Sequence, residues 1–252
     1  MQPEESPHAS SVLGRLLQEL SWSGQSIRDY RDGGLGFENV LTAEALQGLD
    51  FLPRSAFLGA VIAAAHGAAA ARAQLVAEAE LVEFTVLPPD IPLEVNDASN
   101  REPIPVYPDA LLVSPGCYAV VEAKRIRGGS FQPEQLAREF VLAIRAAEGR
   151  TPLLLLILGA EPPVPVKGHG RVPIEDAIAT QIGSVQERIG WSEYTTEALV
   201  EMIPHVVAWT TWQGISSVVE AQLAALGRLE PSIRASITRL ADSVTSAISR
   251  HS

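Results

Sequence analysis

The chain has 252 residues, 46% of them hydrophobic, a formal net charge of −11 and one cysteine. That apolar content suffices for a core, the acidic balance is not that of a protein that coats nucleic acid at large, and a lone cysteine excludes an intramolecular disulfide. No basic segment followed by an apolar one opens the sequence, and its longest strongly apolar run, 152–160, falls far short of the ~20 residues that span a bilayer, so a soluble, cytoplasmic protein is expected.

In chain order, residues 1–9 read as a disordered tail. Val12, Leu13, Leu16, Leu17 and Leu20 recur at helical spacing, and 21–36 reads as a polar loop. A helix is predicted over 38–49, with Val40, Leu41, Ala45 and Leu49 on its apolar side. The alanine-rich stretch 57–80 predicts helix with a break near Gly67. Residues 80–87 alternate, Leu81, Glu83 and Thr85 against Val82, Phe84 and Val86, which predicts a half-exposed strand. Pro88 and Pro89 stop it, and 91–107 predicts an irregular or edge hairpin.

The next segment carries the chemistry. Ala110 to Val113 and Tyr118 to Val121 are strand-forming runs, with Pro115-Gly116 between them as a turn signal. With those two residues as the loop, Ser114 lies opposite Cys117, and the same register sets Asp109 opposite Glu122. Directly opposed residues have Cβ atoms roughly 4.5–5.5 Å apart, so both carboxylates can reach one ion. Glu122 and Lys124 are two apart and share a face, while Ala123 points away. A slip of one residue would turn Asp109 to the other face. Cys117, near the turn, reads as inert.

Downstream, 132–148 predicts a helix with Pro133 in its first turn and Leu136, Phe140, Ile144 and Ala147 as its buried stripe. Residues 151–158 form an all-apolar run expected as a buried strand. A Pro/Gly loop is expected over 161–170, then helices over 174–189 and 195–203, a strand over 205–211 and a helix over 213–226. A last helix starts at Pro231, with Ile233, Ile237, Leu240, Val244 and Ile248 along one side. That face fits either its own core or a second copy of the chain. The organisation expected is one α/β domain over 10–252, a core at about 36–160 and a helical elaboration at 174–250.

Two carboxylates and a lysine at the ends of apolar strands need a partner or a task. The task they suit is holding a divalent cation and activating a water beside it. The plainer alternative is a surface hairpin with ordinary ion pairs, worth about 0–1 kcal/mol. Lysine usage bears on the choice. The chain has two lysines, Lys124 and Lys167, against seventeen arginines, and a compact ammonium suits water activation better than a guanidinium. Residues 124–150 carry an excess of three positive charges from Lys124, Arg125, Arg127, Arg138, Arg145 and Arg150 over Glu134, Glu139 and Glu148. That excess reads either as a phosphate-binding patch beside the site or as a solvated helix face.

Pro108-Asp109, twelve residues, then Glu122-Ala123-Lys124 resembles the PD-(D/E)xK motif of restriction-endonuclease-like nucleases. The helix opening Gln132-Pro133-Glu134-Gln135 is similar to the one in which many members place a glutamine near the site. Phe37-Glu38-Asn39-Val40-Leu41-Thr42, leading to Leu52-Pro53, is similar to a helix that carries the first acidic site residue in several bacterial members; Asn39 departs from the usual aspartate there, so only Glu38 carries over. The resemblance spans about 36–160. It implies a mixed β-sheet core flanked by helices and a metal-dependent nuclease acting on DNA, in a microbial defence or mobile-element setting. It implies Mg2+, with Mn2+ able to substitute, held by Asp109, Glu122, the Ala123 carbonyl and Glu38. Lys124 and Gln135 then complete the catalytic set. The rival reading keeps the fold without the catalysis, as a nucleic-acid- or protein-binding subunit.

Other constellations are thin. His8, His66, His169, His205 and His251 have no metal-ligand spacing. Gly33-Gly34-Leu35-Gly36 lacks the preceding strand and Lys-Ser/Thr of a phosphate loop. Lys167 to Arg171 reads as a surface loop, and Trp209 and Trp212 as core packing ahead of base stacking.

Overall fold

The computed structural model describes residues 35–95, 102–124, 126 and 130–250, with side chains from residue 39 onward. The expected tail at 1–9, the helix over 10–20 and residues 21–34 of the loop expected over 21–36 lie outside the described residues, as do Arg125, Arg127 and the side chain of Glu38, while Leu35 and Gly36 are helical and not loop.

The first helix, α1, covers Leu35–Phe51. The alanine-rich segment forms α2, Leu58–Ala64, and α3, Ala69–Ala77. Between them the two-residue strand β1, His66–Gly67, breaks the helix. Gly67 has φ +77°, and a Cβ there would lie 2.4 Å from the Val207 carbonyl oxygen. Only glycine tolerates both conditions, which is why the helix breaks at this residue.

Of the next five described strands, the first and the last two join the main sheet, and the second and third pair apart from it. β2 is Glu83–Val86, and β3, Ile91–Leu93, pairs with β4, Ile104–Val106, as the expected side hairpin. β5, Ala110–Val113, and β6, Cys117–Ala123, form the motif hairpin. Its register is Ala110↔Val121 through Val113↔Tyr118, as the Pro115-Gly116 turn predicts. Ser114 closes the turn by exchanging hydrogen bonds with Cys117. The Glu78 carboxylate, just past α3, accepts the Gly116 N–H at 2.8 Å. A Cβ on Gly116 would fall 2.3 Å from Gln74 Nε2, the end of a flexible side chain that can shift aside.

Helix α4, Pro133–Ala146, opens with proline at its start and returns the chain to β7, Thr151–Leu158, which lies parallel to β6. Where a loop is expected over 161–170, a small hairpin forms and runs past its end, β8 Val164–Val166 with β9 Gly170–Val172. Helices α5, Ile174–Ile189, and α6, Thr196–Val206, lead into β10, Val207–Thr211. Helices α7, Trp212–Ala225, and α8, Pro231–Arg250, end the described chain. The main sheet runs β1-β10-β7-β6-β5-β2, with β6, β7 and β10 mutually parallel and the other pairs antiparallel.

The sheet is covered on both faces, as its apolar central strands require. Ala119, Val121, Ala123, Leu153, Leu155, Ile157 and Ala208 face a core shared with α1, α2, α3, α7 and α8. Val120, Leu154, Leu156, Leu158 and Val207 face a second core shared with α4, α5 and α6. This two-residue alternation sets the site. Ala123 belongs to the first face, and Glu122 is turned toward α4 on the second.

Candidate active site

Lys124 is held at the end of β6 by its main chain. Its N–H donates to the Ile157 carbonyl at 2.8 Å, and its carbonyl accepts the Trp212 indole N–H at 2.7 Å. Trp212 is buried as expected and therefore also anchors the motif. The Lys124 ammonium donates to Glu122 Oε1 at 2.5 Å, with side chains 15% and 2% exposed. Its charge lies 5.5 Å above the centre of the Phe131 ring. This is a largely desolvated pair, where Coulomb energy and hydrogen bonds must offset the cost of leaving water.

Gln135, in the first turn of α4, donates through Nε2 to Glu122 Oε1 at 2.7 Å and to Glu139 Oε1 at 2.9 Å. One amide therefore bridges two carboxylates. Glu139 is fully buried. Burial, followed by the neighbouring Glu122 carboxylate, pushes its carboxyl well above the usual range, against the opposing pull of Lys124 and Gln135. Ionised, Glu139 Oε2 meets no donor among the described residues; protonated, the group can donate to Glu122. Sequence reasoning counted Glu139 only as a helix charge. Its signal was position: it lies four residues from Gln135, next to the buried Phe140.

Asp109 precedes β5 on the neighbouring strand. Its Oδ2 accepts the Ala123 N–H at 2.7 Å, and its own N–H donates to the Val121 carbonyl at 3.0 Å. The side chain is thus tied to the Glu122-Ala123-Lys124 segment through its middle residue. Among the described residues no group of three or more His, Cys, Asp or Glu side chains gathers to hold a metal ion. Of the expected ligands, Asp109 is bonded to the Ala123 main chain next to Glu122, and Glu38 lies on α1.

Among the described residues, the cations counted over 124–150 do not all gather at the site. Arg145 donates to the Glu94 carbonyl at 2.7 Å and lies over the Trp191 ring. Arg150 precedes Thr151, which pairs with Cys117 at the far end of β6, about 17 Å from Glu122 at 3.3 Å per residue. Charges near in sequence separate because a helix and a strand carry them to opposite ends of the sheet. Among the described arginines of that stretch, Arg138 stays with Gln135. His66 is exposed and stacks on Trp209 with ring centres 4.2 Å apart. None of the described helices is long and apolar enough to cross a membrane.

No family model matches the chain, and neither a curated protein nor a solved structure is found to match it.

Proposed function

We propose that this chain is a metal-dependent nuclease of the PD-(D/E)xK, restriction-endonuclease-like kind, hydrolysing phosphodiester bonds in DNA. The observation that carries the reading is the meeting of Lys124 and Gln135 on one Glu122 oxygen, with Asp109 bonded to the residue between Glu122 and Lys124. With α2, β1, α3 and the β3–β4 hairpin as insertions, the chain order supports it: α1, then β2, β5 and β6 in antiparallel sequence, then α4 and the parallel β7. That is the helix, three strands, helix and strand of the family resemblance.

The donor set suits a hard cation, since it offers oxygens alone. Asp109, Glu122 and the Ala123 carbonyl would hold Mg2+ or Mn2+, with Glu38 as the further ligand from α1. When bound, the ion polarises the phosphate and makes a coordinated water more acidic. The chain's own groups do the rest. Gln135 fixes the Glu122 carboxylate, and the doubly anchored main chain of Lys124 limits where its ammonium can reach. From there the ammonium orients the attacking water and balances the charge that grows on the phosphate.

A second reading, a non-catalytic binding module, is favoured by one observation: the Lys124 ammonium is already engaged by Glu122. Supercoiled plasmid separates the two. With Mg2+ or Mn2+ the purified chain should nick it, and chelation should stop the reaction. Plasmid that stays supercoiled across both metals would contradict the nuclease reading.

A further inference from the structure

Beside the candidate active site lies a hollow of about 280 Å3, lined by Val106 and Tyr107 on one side and by Gln132, Gln135, Arg138 and Glu139 of α4 on the other. We propose that it seats a single unstacked nucleotide of the nucleic-acid substrate, with Tyr107 stacking on the base and Arg138 meeting the phosphate. The inference rests on the nuclease reading and narrows its substrate to single strands or ends whose bases are splayed.

Tyr107 is 66% exposed, more than any other large apolar side chain among the described residues. Val106 and Pro108 on either side are buried. A residue before proline is held to extended backbone, so the ring is presented to solvent by a stiff segment. An exposed aromatic face can hold an unpaired base by stacking, and among the described residues Arg138 is the one cation in the lining.

Arg138 supplies the charge. Its Nε contacts Glu134, at 3.4 Å to the carbonyl and 3.9 Å to the carboxylate. That carboxylate is taken at 3.0 Å by Arg188. Among the described residues the two terminal amines of Arg138 have no hydrogen-bond acceptor, so the fork that matches a phosphate remains available.

Position ties the hollow to the chemistry. Gln135 lines it and also bonds Glu122, while Tyr107 lies two residues before Asp109. A nucleotide held there places its neighbouring phosphate toward Glu122 and Lys124. The volume lies just under the usual range of ligand sites and leaves room for no more than one nucleotide, and a base still stacked in a duplex cannot enter without being flipped out.

The test is fluorescence anisotropy of an end-labelled single-stranded oligonucleotide in EDTA, where binding is read without cleavage. Tyr107→Ala should weaken binding about 5- to 150-fold, the loss of one base–aromatic stack, and Tyr107→Trp should restore it with quenching of the new indole. Arg138→Gln should weaken binding and flatten its salt dependence, and a blunt duplex of equal length should bind less tightly than the single strand. Unchanged affinity in Tyr107→Ala, or no binding by the native chain, overturns the subsite. Cleavage by the native chain with Tyr107→Ala binding normally removes the subsite and leaves the nuclease reading standing. Tyr107-dependent binding with no cleavage under any metal does the reverse.

Discussion

The Asp109 carboxylate accepts the main-chain N–H of Ala123 at 2.7 Å, so a side chain closes the hairpin where the β5–β6 ladder ends at Ala110↔Val121. Asp109 therefore has a structural task as well as the proposed chemical one, and the two can be separated. Asp109→Asn keeps an acceptor oxygen, and its melting temperature should stay near that of the native chain. Asp109→Ala leaves the amide without its partner and should cost about 1–3 kcal/mol in denaturant unfolding. Both should lower cleavage by about 100-fold or more. Full activity in Asp109→Asn would remove Asp109 from the catalytic set.

Glu122 and Lys124 form a pair that neither can leave cheaply. Glu122 is 2% exposed, so Lys124→Met strands its charge and should cost about 3–5 kcal/mol, whereas Glu122→Gln with Lys124→Met removes both charges and should recover most of that loss. A double-mutant cycle by urea unfolding measures the coupling. Additive effects would mean that the two groups do not interact in solution.

Cys117 should be chemically silent. It is buried beneath α3, and burial, with a smaller contribution from Glu78, pushes its thiol up to about 12. A chromogenic disulfide reagent at pH 8 should label it only after denaturation. Prompt labelling of the native chain would show that the β5–β6 turn opens readily.

Glu78 should give the hairpin a pH dependence. Hydrogen bonds from Ser114 and the Gly116 amide lower its pKa below the ordinary 4.5. A depressed carboxylate contributes stability above its unfolded value, and the contribution fades as pH falls through the folded one. The melting difference between the native chain and Glu78→Ala should be full at pH 6 and shrink below pH 4.5. A difference that grows on acidification would reverse the assignment.

Much of this was legible in the sequence because local rules and tertiary packing agreed. The β5–β6 register followed from Pro115-Gly116, and the limits of β7 and α5 from their apolar runs. What escaped depended on long-range partners. β1 is two residues made into a strand by pairing with β10. The β8–β9 hairpin is stabilised by pairing that composition does not signal, and Phe131 adds a bridge to Val166. At the site, the face shared by Glu122 and Lys124 was readable from alternation. Glu139 was not, because a glutamate on an amphipathic helix normally faces water, and only the packing of α4 on the sheet reveals that this one is buried. Of the basic residues that sequence groups together, Arg138 and Arg150 separate because α4 and β7 run across the sheet.

The most direct test of the account is cleavage of a labelled DNA oligonucleotide in Mg2+ by the native chain and by Lys124→Met, each first shown to be folded by circular dichroism. The account predicts metal-dependent product from the native chain and none above background from Lys124→Met. Equal cleavage by the two would contradict it, because the activity would then not arise from this site.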